Sequence, residues 1–172
     1  MEMSVGTIVT IVLLMSVLIL GIFLVQKIFG SATNAIDSVD RKVNDEINKL
    51  FTDDGEKKLV VFPERPVLKK GKTGGVGISI RNTGQTSETY NYVVVWESDD
   101  CNFGKNRAED LIALGDTGVG ISLSSGSSMD SAKDLRFRIS EETPLCLIRY
   151  TLTVFQSNGD TYTQKDIDLE IK

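Results

Sequence analysis

The sequence predicts a membrane-anchored chain in which a long N-terminal α-helix is followed by an all-β antiparallel sandwich. Three observations predict it. Residues 3–25 carry no charge, and 17 of those 23 are apolar. Residues 36–51 repeat apolar side chains at helical steps, and from residue 57 the period changes to alternation between Gly, Ser, Asn and Asp clusters. The mean hydropathy of −0.04 averages these materials and describes neither of them.

Composition closes several functions. The 172 residues include 19 Lys and Arg, 24 Asp and Glu, two Cys and no His, for a formal charge of −5. Without histidine there is no Ser-His-Asp triad, Cys-His pair, His-ligated zinc or imidazole proton shuttle. Two cysteines cannot complete a four-cysteine zinc site or hold an iron–sulfur cluster unaided. A non-enzymatic protein without a cofactor is expected, and the acidic balance argues against nucleic acid as a partner.

The first predicted element is a transmembrane or filament-core helix over residues 1–27. At about 1.5 Å per residue its uncharged run is about 34 Å long, against a hydrocarbon core of about 30 Å. Ile8, Leu14, Leu18 and Phe23 belong to this membrane segment. Glu2 is the only charge before the run, and neither a basic n-region nor an A-x-A site accompanies it, so it does not read as a cleaved signal. Lys27, Arg41 and Lys42 follow the run and taken alone would hold the remainder in the cytoplasm. The short N-terminus, Asp37 and Asp40, and the cysteine pairing discussed below favour an extracytoplasmic C-terminal domain.

The second element, residues 28–55, is an amphipathic helical extension. Ile36, Val39, Val43, Ile47 and Leu50 form one narrow stripe with charged residues on the other faces, and Asp53-Asp54-Gly55 supplies a stop. A stripe of this kind packs either on the chain's own globular domain or on copies of itself, and two heptads of pattern leave both open.

Residues 56–172 form the third. Strands are predicted at 59–62, 75–81, 90–97, 118–124, 134–140, 145–156 and 162–171. Val76, Ile78 and Ile80, then Leu135, Phe137 and Ile139, then Ile167, Leu169 and Ile171 alternate with polar residues, so each strand has one dry face and one wet face. Asn82-Thr83-Gly84 and Ser157-Asn158-Gly159-Asp160 are turn chemistry. Asp99, Asp100, Asp110, Asp116, Glu141 and Glu142 lack the spacing of a calcium loop and read as solvated loops. Lys57-Lys58 and Lys69-Lys70-Gly71-Lys72 read as protection for strand edges.

The stretch LVVFPERPVLKKGKTGGVGISIRNTGQTSETYNYVVVW resembles the opening strands of immunoglobulin-like adhesion domains on archaeal and bacterial surface proteins, where a basic KKG turn leads to a strand ending in N-T-G. The resemblance implies an immunoglobulin-like sandwich over residues 56–172 and a surface location. In that topology the strands preceding Cys101 and containing Cys146 are antiparallel neighbours, which implies a disulfide and an oxidising compartment; two buried free thiols are the alternative. The whole layout, carried by VGTIVTIVLL at residues 5–14 and the helix after it, resembles archaeal type IV pilin-like proteins, including archaellins and monotopic archaellum stators. It departs from them in having no Lys or Arg before Gly6. The resemblance implies a pilin-like structural subunit at the cell membrane or cell surface, homo-oligomeric through its N-terminal helix. The alternative is a single-pass anchored, stator-like module that grips an S-layer or other envelope protein.

Overall fold

The computed structural model describes residues 5–172 and, inside the N-terminal helix, the side chains at 6, 9–22 and 42–53. Helix α1 is Val5–Asp53. The strands are β1 (Leu59–Phe62), β2 (Val67–Leu68), β3 (Thr73–Ile80), β4 (Glu88–Asp99), β5 (Ile112–Leu114), β6 (Thr117–Leu123), β7 (Lys133–Arg138), β8 (Leu147–Gln156) and β9 (Thr161–Ile171), with a short helix α2 (Lys105–Glu109) between β4 and β5. They form a four-stranded sheet, β1-β3-β7-β5, and a five-stranded sheet, β2-β9-β8-β4-β6.

The chain divides into two compact units, Met1–Lys42 and Val43–Lys172. The division falls inside α1, so the helical end at 43–53 belongs with the sheets.

Side-chain parity builds the core of the second unit. Val76, Ile78 and Ile80 of β3, with Leu135 and Phe137 of β7, face Ile148, Tyr150, Leu152 and Val154 of β8 and Ile167, Leu169 and Ile171 of β9, all of them buried. The longest pairing joins β4, β8 and β9, with Val94 opposite Leu152 and Leu152 opposite Lys165. Asn82 plugs one end of this core. Its Nδ2 donates to the Thr86 and Leu123 carbonyls at 2.7 and 3.1 Å, while its Oδ1 accepts from the Gly84 N–H at 2.9 Å and the Tyr90 hydroxyl at 3.0 Å. Every polar atom of that buried side chain is thereby satisfied.

The structure corrects the fold class. It is a mostly β, two-sheet sandwich, and among the described residues no helix is long and apolar enough to cross a membrane. The sandwich unit is not all-β, because it includes α2 and the helical end at 43–53. Nor is it purely antiparallel: β2 pairs parallel to β9, with Val67 opposite Glu170. Its order also departs from the immunoglobulin pattern, since β5 joins the four-stranded sheet before β6 extends the other one beside β4.

Candidate functional site

Three features could serve assembly or binding, and two of them lie on α1. Over residues 9–22 the helix shows large apolar side chains in every direction. Ile11, Val12, Leu13, Leu14 and Met15 are consecutive and 46–64% exposed, and Val17, Leu18, Ile19 and Leu20 are 63–68% exposed. At about 100° per residue, five consecutive positions sweep the full circumference. The polar residues within the run do not interrupt it: the Thr10 hydroxyl donates to the Gly6 carbonyl and the Ser16 hydroxyl to the Val12 carbonyl, each at 2.8 Å. Both hydroxyls are turned back onto the helix. Leu14 and Leu18 are part of this surface; Ile8 and Phe23 lie outside the described residues.

The helical stripe behaves differently. Ile36 and Val39 lie outside the described residues, but Val43, Ile47 and Leu50 pack on the chain's own β unit together with Phe51. Their partners are Val60 and Phe62 of β1 and Ala132 before β7. Ile47, Phe51 and Val60 are each 2% exposed. Beneath the helix the sheet is flat, because Gly77 sits opposite Phe62 and Ser79 opposite Val60. A Cβ added at Gly77 would lie 3.0 Å from Ile47 Cδ1 and 3.3 Å from Ala132 Cβ. Arg81 completes the latch. Its Nη1 donates to the Phe51 and Gly55 carbonyls at 2.9 and 3.3 Å, and its guanidinium stands 4.5 Å from the centre of the Phe51 ring. The last turn of α1 has no basic residue of its own, so this sheet residue supplies the positive charge and donors that a helix C-terminus lacks. Asn44 adds a bond from the other side, its Oδ1 accepting the Ala132 N–H at 2.8 Å.

The third feature is the corner that joins β4 to β8. Asp99 opposes Ile148 in the ladder, and the chain then wraps around the Asp99 carboxylate. Its Oδ1 accepts the N–H groups of Phe103 at 2.7 Å and Cys101 at 3.2 Å, and its Oδ2 accepts that of Gly104 at 3.1 Å. Desolvation raises this carboxyl, but the three N–H donors outweigh it and hold the group below the usual carboxylate range. The Trp96 indole N–H pulls the same way from outside hydrogen-bond geometry and has no other partner. The wrap presents Cys101 to Cys146 at a Cα–Cα distance of 5.7 Å, and the two sulfurs are bonded. Asp100, Cys101 and Cys146 have potential ligand atoms within 4.8 Å of one another, but sulfurs bonded to each other offer no thiolate to a metal. The Asp100 Oδ1 accepts the Leu147 N–H at 2.9 Å, which ties the same corner again.

The residues that organise these features were hidden in the sequence. Asp99 looked like one of several loop acids and is the hub of a turn. Arg81 looked like the polar end of a strand and caps a helix 26 to 30 residues away. The stripe residues Val43, Ile47 and Leu50 and the Cys101–Cys146 pair, by contrast, are legible in the sequence.

No family model matches the chain, and no curated protein matches it. Among solved structures, a family 123 glycoside hydrolase from Clostridium perfringens is similar over 62% of this chain and 22% of its own, at 7% identity and a TM-score of 0.42. An alkylpurine DNA glycosylase from Pseudomonas fluorescens, bound to DNA containing an abasic site analog, is similar over 65% of this chain and 29% of its own, at 16% identity and a TM-score of 0.33. The chain thus spans less than a third of either protein. A type I cohesin–dockerin complex from Clostridium thermocellum contains a chain covered completely by 67% of this one, at 10% identity and a TM-score of 0.36. With each TM-score below 0.5, these likenesses carry no argument about function.

Proposed function

We propose that the chain is a non-enzymatic cell-surface structural protein, a pilin-like subunit whose N-terminal helices pack on one another as a filament core with the β-sandwich domains outside. The observation that carries this reading is the apolar circumference of residues 9–22. Each large side chain left in water forgoes about 1.5–3 kcal/mol of burial, so the segment requires cover. Among the described residues no helix is long and apolar enough to cross a membrane. A bundle of identical helices covers every face at once, which a single apolar groove on a partner does not. Because Val43, Ile47 and Leu50 are occupied by the sandwich of their own chain, the surface available for assembly is the segment before them. The bonded cysteines favour an oxidising, extracytoplasmic setting for the sandwich.

The reading is tested with full-length protein by electron microscopy and sedimentation, comparing it with a Leu14→Asp, Leu18→Asp double variant. The expected result is filaments from the parent and none from the variant, with the same unfolding midpoint for the β unit in both. Filaments that persist in the variant, or their absence from the parent, refute it.

A further inference from the structure

A second site lies away from the helix. Six arginines have described side chains, and four are engaged: Arg65 and Arg149 with Asp168, Arg136 with Asp134, and Arg81 with the end of α1. Arg107 and Arg138 make no ion pair or side-chain hydrogen bond among the described residues, and both line the same cleft. It has a volume of about 600 Å³ and is framed by α2, the start of β3 and the loop after β7. That volume is within the range of about 300–1,000 Å³ typical of ligand clefts.

Two carboxylates, Asp110 and Glu142, line the cleft as well and are equally without an ion-pair partner among the described residues. Unlike charges that share a cleft without pairing leave their hydrogen-bonding capacity open. A polyanion there would meet Asp110 and Glu142, and a polycation would meet Arg107 and Arg138, so neither is accommodated without like-charge contact. A hydroxyl group suits both kinds of lining, because it donates to a carboxylate and accepts from a guanidinium. The half-buried Phe103 ring adds an apolar face, with the Arg107 guanidinium 5.7 Å from its centre. On another wall the Ser140 and Thr143 hydroxyls are bonded to each other at 2.9 Å, which uses one of their two O–H donors.

We propose that this cleft binds a neutral, hydroxyl-rich oligosaccharide, with Arg107 and Arg138 as donors, Asp110 and Glu142 as acceptors and Phe103 beneath a sugar ring. The assignment is independent of filament formation.

Saturation-transfer NMR on the full-length protein tests it, with mannotriose and cellotriose as neutral probes and trigalacturonate as the acidic one. Transfer to at least one neutral trisaccharide is expected, falling at least tenfold in an Arg107→Ala, Arg138→Ala double variant. Both side chains are exposed, so the near-UV circular dichroism of that variant should match the parent. Transfer to neither neutral sugar, transfer to trigalacturonate alone, or an undiminished signal in the double variant overturns the proposal.

Discussion

Helix α1 contains two apolar stretches of similar chemistry and opposite circumstance. At 43–53 a narrow stripe lies against a sheet face kept flat by Gly77 and Ser79, and its central residues are almost wholly removed from water. At 9–22 the apolar residues occupy the full circumference and are about half to two-thirds exposed. Width explains the difference. A stripe one side chain wide can be buried by a single surface, whereas a cylinder cannot, however well that surface fits. The first stretch therefore acts in the stability of its own domain, and the second is available to other chains.

This division can be broken by substitution, beginning with the largest effect. Phe51→Ala removes the ring that fills the space between Val60 and Arg81, and should lower the unfolding free energy in urea by about 3–5 kcal/mol while filaments still form. Loss of filaments without loss of stability would place the latch on the assembly side instead. Cys101→Ser opens a loop of 45 residues and should cost about 2–4 kcal/mol, again without changing sedimentation. Mass spectrometry of the unreduced parent should show the Cys101–Cys146 peptide pair, and two alkylatable thiols would remove this expectation.

The smallest change concerns Asp168. Hydrogen bonding to Arg149 at 2.7 and 3.2 Å holds its carboxyl below the usual carboxylate range. A depressed folded value means that the stabilisation is complete above the unfolded carboxylate value, about 3.9, and disappears as pH falls through the folded one. Asp168→Asn should therefore be less stable than the parent by about 1 kcal/mol from pH 5 to 8 and should converge with it below about pH 4, as read from denaturation midpoints. A gap that does not narrow at all as the pH is taken down through the acid range would mean that packing, and not charge, accounts for it.

The strands with one wet face were legible in the sequence: β7 and β9 alternate cleanly because solvent and core impose opposite requirements on neighbouring residues, whereas β3 alternates in residue type only, its residues 76–80 being buried on both faces. LVVF at β1 does not alternate, and the latch supplies the reason. Leu59 and Val61 enter the main core while Val60 is covered by the helix, so neither face of the strand is wet. β2 and β5 have two and three residues, too few for any period to show, and the parallel pairing of β2 with β9 leaves no mark in two residues after a proline. The stripe itself was visible, but its partners were not, because Val60 and Phe62 of β1 and Ala132 come together only in the folded sheet, beside a glycine of β3 that leaves room for the helix. The cleft was invisible for a similar reason: Arg107 and Arg138 belong to different elements, and only the crossing between sheets after β4 brings them together.

The Arg81 clamp bears on how the domain carries load. The guanidinium holds the Phe51 and Gly55 carbonyls, and Leu59, the first residue of β1, follows only four residues after Gly55. Tension drawn along α1 would therefore reach the latch before it reached the ladder between β1 and β3. The edge strand that a direct pull would unzip is shielded by a contact that must be peeled away first, and its neighbour in the sheet supplies the residue that resists the peeling.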